Sequence, residues 1–155
     1  MTTPYSRERA VEIIAAHAHV DGPLLPMLHA LNAEFGHVPD EVVPVIAATL
    51  NLTRAEVHGV VTFYHDFKRE PGGRHVLKLC RAEACQAAGG DAIAARAEAK
   101  LKITMGETAP DKSVTLEAVY CLGLCAVGPA AMLDERVIGR IDDVRLDRLI
   151  AEARA

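Results

Sequence analysis

Tryptophan is absent, and 155 residues hold three tyrosines and three phenylalanines. A core must therefore be filled by aliphatic side chains, which a composition 50% hydrophobic can supply. Basic excess is also missing, since the formal charge is −4. That argues against a chain built to lie on nucleic acid or anionic lipid. No apolar run approaches the roughly 18 residues of a membrane span. The opening stretch MTTPYSRERAVEII puts charges where a signal peptide carries its apolar segment. A cytoplasmic chain with no nucleic-acid partner and no direct membrane insertion is expected. GxGxxG, P-loop, HExxH and Cys-x-x-Cys patterns are all lacking, so no catalytic residue is assigned. Cysteine is missing from the whole first half: all four lie between positions 80 and 125.

What is present divides into two parts. From Thr3 to about Phe67 the pattern is helical. Tyr5 to His19 carries Ala10, Val11, Ile14 and Ala18 at a 3.6-residue period, and Val20-Asp21-Gly22-Pro23 interrupts it. Leu24, Leu25, Leu28, Leu31 and Phe35 form the next stripe, closed by Gly36. A third helix runs through Val42, Val43, Ile46, Ala47 and Leu50, with Asp40 as the expected N-cap. Thr53 and Glu56 have the spacing of a capping box and open a fourth. Such stripes are expected to pack as a helical bundle over residues 1–70.

Glu70-Pro71-Gly72-Gly73-Arg74 marks a boundary, and residues 71–155 read as a second domain with a different rhythm. A strand is expected from His75 to Leu79, then an Ala-rich helix from Asp91 to Leu101 with Asp91 as its N-cap. Val114 to Tyr120 reads as a second strand. Ala130–Leu133 and Val137–Ile141 form a hairpin about Asp134-Glu135-Arg136, and Asp143 to Ala153 a closing helix using Val144, Leu146, Leu149 and Ile150. The fold class is α+β, helices first and a helix-covered sheet second.

The cysteines are spaced Cys80-x4-Cys85 and Cys121-x3-Cys125, with 35 residues between the pairs. Each pair begins just past an expected strand. If those strands are parallel neighbours, both pairs leave the sheet at one end and four thiols converge. Two bridged irons need two thiolates each, so a pair from each of two adjacent loops suits a [2Fe–2S] cluster. Structural zinc also takes four cysteines, usually on shorter Cys-x2-Cys turns, and thiol–disulfide exchange is a further use of such residues. The segment from Cys121 to Pro129 is apolar with two glycines, so it is expected to shield a cluster and bring N–H groups to sulfur. Arg81 and Lys78 stand near enough in sequence to offset its charge.

Three segments together carry a resemblance: Cys80-Arg81-Ala82-Glu83-Ala84-Cys85, Tyr120-Cys121-Leu122-Gly123-Leu124-Cys125 and Gly59-Val60-Val61-Thr62-Phe63-Tyr64. They resemble the thioredoxin-like [2Fe–2S] ferredoxin family, that of the 24 kDa subunit of respiratory NADH dehydrogenase (complex I). Within it, the two cysteine loops look most like the gamma subunit of soluble NAD-dependent molybdenum formate dehydrogenases; other relatives serve NAD-linked hydrogenases. The resemblance implies a thioredoxin-like α/β second domain with the cluster on Cys80, Cys85, Cys121 and Cys125. It also implies a flavoprotein partner carrying FMN, the NAD(H) site and a [4Fe–4S] cluster. The formate dehydrogenase reading adds a catalytic subunit with a molybdenum cofactor. The role implied is one-electron transfer beside the partner's flavin.

Seven histidines, His17, His19, His29, His37, His58, His65 and His75, show no metal motif and are expected in surface or packing roles. Because aromatics are scarce, Gly59–Tyr64 is expected to serve either a subunit contact or the interior.

Overall fold

The computed structural model describes residues 3–155, and the chain divides into two compact units, Met1–Pro71 and Gly72–Ala155.

The first unit is helical. Helix α1 (Arg7–His17) starts later than its apolar pattern because Ser6 caps it, accepting from the N–H of Arg9 at 3.3 Å. Its buried stripe is Ala10, Ile13 and Ile14, while Val11 faces outward. Helix α2 (Leu24–Phe35) buries Met27, Leu28, Leu31 and Phe35. It ends where Gly36 turns left-handed at φ 74°, donating its N–H to Asn32 at 2.8 Å.

Asp40 does not cap the third helix. It opens a 3-10 turn over Asp40–Val42, and its carboxylate is taken by Arg69, whose Nε donates at 2.9 Å. Helix α3 (Val43–Leu50) begins beyond that turn without a side-chain cap and with Pro44 in its first turn, where a missing N–H costs little. Asn51 closes it in a left-handed conformation. Helix α4 (Arg54–Phe63) has the expected capping box: Thr53 Oγ1 accepts from Glu56 N–H, and the Glu56 carboxylate accepts from Thr53 N–H at 2.8 Å. Val57 and Val61 carry it into a mainly aliphatic core with Leu28, Leu31, Val38, Val42 and Ile46, to which Phe35 and Phe67 add the aromatics.

The second unit is a four-stranded sheet in the order β2-β1-β3-β4. Strand β1 (His75–Cys80) runs parallel to β2 (Val114–Val119) and antiparallel to β3 (Ala131–Leu133), which pairs antiparallel with β4 (Arg136–Ile138). A parallel pair needs a long crossover, usually helical. Here it holds α5 (Glu83–Ala87) and α6 (Gly90–Leu101). Helix α7 (Asp143–Arg154), capped by Asp142, packs on α6 and on β1. Leu77, Leu79, Ala97, Leu101, Leu116, Leu133, Leu146 and Leu149 share one aliphatic core, about the composition that lack of tryptophan demanded.

Several boundaries move. The α5 turn lies where only loop was expected. Helix α6 starts from Gly89 rather than Asp91, whose carboxylate instead receives Arg81 Nη2 at 3.0 Å. Val144 is 59% exposed, since the face of α7 that packs is Leu146, Leu149, Ile150 and Ala153. The hairpin loop is Asp134-Glu135, with Arg136 already paired to Leu133, and Ile141 reaches the core from beyond the strand. Asp134 anchors that loop by accepting from Val76 N–H and pairing with His75 Nδ1, both at 2.9 Å.

Candidate metal centre

Strands β1 and β2 end side by side: Cys80 is in register with Val119, two residues before Cys121. Cys80 N–H donates to Ala130 on one side, and Arg81 N–H to Val119 on the other, at 2.9 and 2.8 Å. Both cysteine loops therefore leave one end of the sheet. Cys85 returns to Cys80 because the chain folds at once into α5, where Cys85 N–H donates to Ala82 at 2.9 Å. Only that turn brings a residue five positions on back against the strand end.

The four thiols divide by exposure. Cys80 and Cys85 are 3% and 1% exposed and pack with Ala130, Val119, Leu122 and Leu124, while Cys121 and Cys125 are open to solvent. The expected shield is thus half present: leucines 122 and 124 turn inward, but the sulfurs of their own loop face out. Tyr120, just past β2, is 75% exposed beside them.

The sulfurs come in pairs. Cys121 Sγ stands 3.8 Å from Cys125 Sγ. Two thiolates about 2.3 Å from one tetrahedral metal lie about 3.8 Å apart, so this pair has the separation of ligands on a single ion. Cys80 and Cys85 lie close enough for each to shift the other's thiol, and Cys85 also feels the charge of Cys125. Among the described residues, no group of three or more His, Cys, Asp or Glu side chains is gathered as one ion would require. Two coupled pairs suit a binuclear centre, and the donor set fits an iron–sulfur cluster.

Backbone N–H groups point at these sulfurs. Burial pushes the Cys80 thiol up, yet donors from Ala82, Cys121 and Leu122, with the Cys85 thiol, outweigh it and bring the net direction down. For Cys85 burial dominates; the Cys80 neighbour adds to it, a hydrogen bond from Ala130 opposes, and the thiol is raised. Cys125 is raised chiefly by its hydrogen bond with Cys121. Cys121 has φ 81°, a left-handed backbone that a side chain seldom adopts. The N–H groups of Cys121 and Leu122 are both among the donors that lower Cys80. Nothing in the residue types announces this, although Gly123, also left-handed at φ 76°, marks the loop as tightly turned.

The two candidate cations differ. Lys78 is engaged across the strands by Glu117 at 3.6 Å. Arg81 directs Nη2 to Asp91, but its Nε is buried without a hydrogen-bond partner.

The histidines follow the bland expectation. His17 and His37 bond to the carbonyls of Ile13 and Phe35, His29 packs edge-on against Phe67, His75 pairs with Asp134, and His58 and His65 are exposed. For Gly59–Tyr64 the interior takes Val61, with Val60 half-buried against it; Phe63 is 73% exposed, and Tyr64 is exposed against it. No helix among the described residues is long and apolar enough to cross a membrane.

The family model of the thioredoxin-like [2Fe–2S] ferredoxins matches residues 10–154. The HndA subunit of an NADP-reducing hydrogenase from Solidesulfovibrio fructosivorans is 32% identical over 149 residues, 96% of this chain and 86% of that subunit. A subunit of the NADH-quinone oxidoreductase of Rhizobium meliloti (strain 1021) is 35% identical over 149 residues, 96% and 89% of the two chains. The crystal structure of an NAD+-reducing [NiFe]-hydrogenase in the H2-reduced state gives a TM-score of 0.72 at 25% identity. That match covers 84% of this chain and 22% of the hydrogenase chain.

Proposed function

This chain belongs to the thioredoxin-like [2Fe–2S] ferredoxin family, and from that premise we propose that it is the one-electron carrier of an NAD(P)-linked oxidoreductase. Cys80, Cys85, Cys121 and Cys125 are the proposed ligands, one pair to each iron. The observation that carries the reading is the convergence of two thiol pairs at one sheet end, with the exposed pair 3.8 Å apart. The cluster supplies reversible uptake of a single electron, which a flavin needs because it takes two from a nicotinamide and passes them singly to iron–sulfur centres.

The chain's own residues set the conditions. The Ala82, Cys121, Leu122 and Ala130 N–H groups stabilise negative charge on sulfur. Leu122, Leu124 and Val119 exclude water from the inner pair. The open sulfurs of Cys121 and Cys125 leave a face through which a partner flavoprotein, with FMN and the NAD(H) site, is reached. Cytoplasmic residence suits four free cysteines, since thiols stay reduced there.

For the parent enzyme, formate dehydrogenase is supported by the two cysteine-loop sequences, and a molybdenum-containing catalytic subunit would then complete the complex. A second reading, as a subunit of an NAD(P)-linked hydrogenase or of NADH:quinone oxidoreductase, is favoured by the 32% and 35% identical relatives.

Anaerobically purified protein should be brown, contain iron and acid-labile sulfide, and give a [2Fe–2S] electron paramagnetic resonance signal on dithionite reduction. Colourless protein containing zinc instead would end the proposal. Purification of the complex from its native cell separates the parents: formate-dependent NAD reduction with a molybdenum subunit supports the first, hydrogen-dependent activity or a membrane arm the second.

A further inference from the structure

Cys121 and Cys125 share one loop, are open to solvent and stand 3.8 Å apart at sulfur, which is van der Waals contact. The backbone on either side holds them there. Cys121 stands two residues beyond the end of β2, where the Val119 carbonyl accepts from Arg81 N–H at 2.8 Å. Cys125 opens a 3-10 turn over Cys125–Val127, in which Val127 N–H donates to Leu124 at 2.9 Å and the Val127 carbonyl accepts from Arg140 N–H. Between these anchors the chain is only Leu122-Gly123-Leu124, and a Cβ on Gly123 would meet nothing within 4 Å. The middle of the loop therefore has room to adjust.

A disulfide needs its sulfurs at about 2.05 Å, which rotation of the two side chains with a small shift of such a loop can supply. Access decides which thiols a dissolved oxidant meets. Cys80 and Cys85 are 3% and 1% exposed, so the outer pair is met first. A lone thiol that attacks a small disulfide keeps the mixed disulfide it forms. A thiol with a second one in contact does not, because the neighbour attacks that bond in turn and expels the adduct.

We propose that Cys121 and Cys125 are a disulfide site of the cluster-free chain, closed by a small disulfide of the glutathione class, and that the chain in this form accepts no cluster until it is reduced. One outer sulfur attacks the small disulfide and releases one thiol; the other then attacks the mixed disulfide, closes the Cys121–Cys125 bond and releases the second. The pair loses two electrons and two protons, and the small disulfide gains both. Two proposed ligands of one iron are withdrawn together, and an exposed bond of this kind is readily reversed by a dithiol. The effect on loading rests on the reading of the four cysteines as cluster ligands, whereas the bond itself rests on the geometry of the pair.

The test treats the iron-free full chain with oxidised glutathione, blocks remaining thiols in denaturant with N-ethylmaleimide and maps tryptic peptides by mass. The peptide from Ser113 to Arg136 holds both outer cysteines with no Lys or Arg between them, while Cys80 and Cys85 fall on two other peptides. It should lose two hydrogens and escape blocking while Cys80 and Cys85 are still blocked. C121S and C125S each leave one outer thiol without its neighbour and should retain the glutathione adduct that the wild type expels. A bond to Cys80 or Cys85 formed first, or an adduct as persistent in the wild type as in the variants, overturns the proposal. Transfer from a pre-assembled [2Fe–2S] scaffold protein, without free thiol or sulfide, reads the consequence as iron and labile sulfide per chain. Uptake should be lost on oxidation and return on reduction; equal uptake by oxidised and reduced chains overturns the proposed block. If the reduced chain also takes up nothing, the reading of the cysteines falls while the mapped bond stands.

Discussion

A Cβ placed on Gly90 would stand 2.6 Å from the carbonyl oxygen of Cys85, so α6 begins in direct backbone contact with the turn that carries the second cysteine. Gly90→Ala must push that turn aside. It should cost about 1–3 kcal/mol, as overpacking does, and lower iron content per chain. Gly59, inside α4, has open space around its would-be Cβ. Gly59→Ala should therefore stabilise the helical unit by about 0.5–1 kcal/mol through backbone entropy. Urea unfolding followed by circular dichroism, with iron analysis for Gly90→Ala, checks both.

The difference in burial between the thiol pairs sets which sulfurs a reagent can reach. In apo-protein, brief treatment with iodoacetamide should label Cys121 and Cys125 well ahead of Cys80 and Cys85. Peptide mass spectrometry reads the order. Equal labelling of all four would mean that the inner pair is not sheltered in solution.

Asp134 ties stability to pH. Burial pushes its carboxyl up, but His75 and the Val76 N–H outweigh that and hold it below the usual carboxylate range. A carboxyl lowered on folding contributes stability that is present above its unfolded value, about 3.9, and lost as pH falls through the lower folded one. Asp134→Asn should leave the unit Gly72–Ala155 less stable at neutral pH and flatten its acid-side loss. Thermal melts from pH 7 down to pH 3 measure it; parallel curves for variant and parent would refute the linkage.

At the start of α4, Thr53 is both acceptor and frame for the capping box. Thr53→Ala should destabilise the helical unit by about 1 kcal/mol. A shift in the denaturant midpoint with an unchanged slope is the expected signature.

Much of this was legible in the sequence because it rests on local chemistry. Gly36 as a left-handed stop, Thr53 and Glu56 as a box, and the alternation of β1 and β2 each need only neighbours to be read. What escaped depends on distant partners. Asp40 looked like a cap until Arg69, 29 residues away, claimed its carboxylate. Asp91 was drawn off in the same way by Arg81. The α5 turn was hidden by brevity, since five residues show no period, although Ala82 to Ala87 is rich in helix formers. Pairing of the four cysteines was visible from their spacing; their unequal exposure was not, because apolar loop composition does not tell which way a loop faces.

The crossover between β1 and β2 has a consequence for biosynthesis. Cys80 and Cys85 leave the ribosome before the 35 residues that lead to Cys121, and the parallel pairing that unites the loops forms only after α6 has been made. The first thiol pair thus exists without the second while translation proceeds. If these four cysteines hold the cluster as proposed, loading must be a late event, and iron and sulfide should find a competent receptor only on chains synthesised past Cys125.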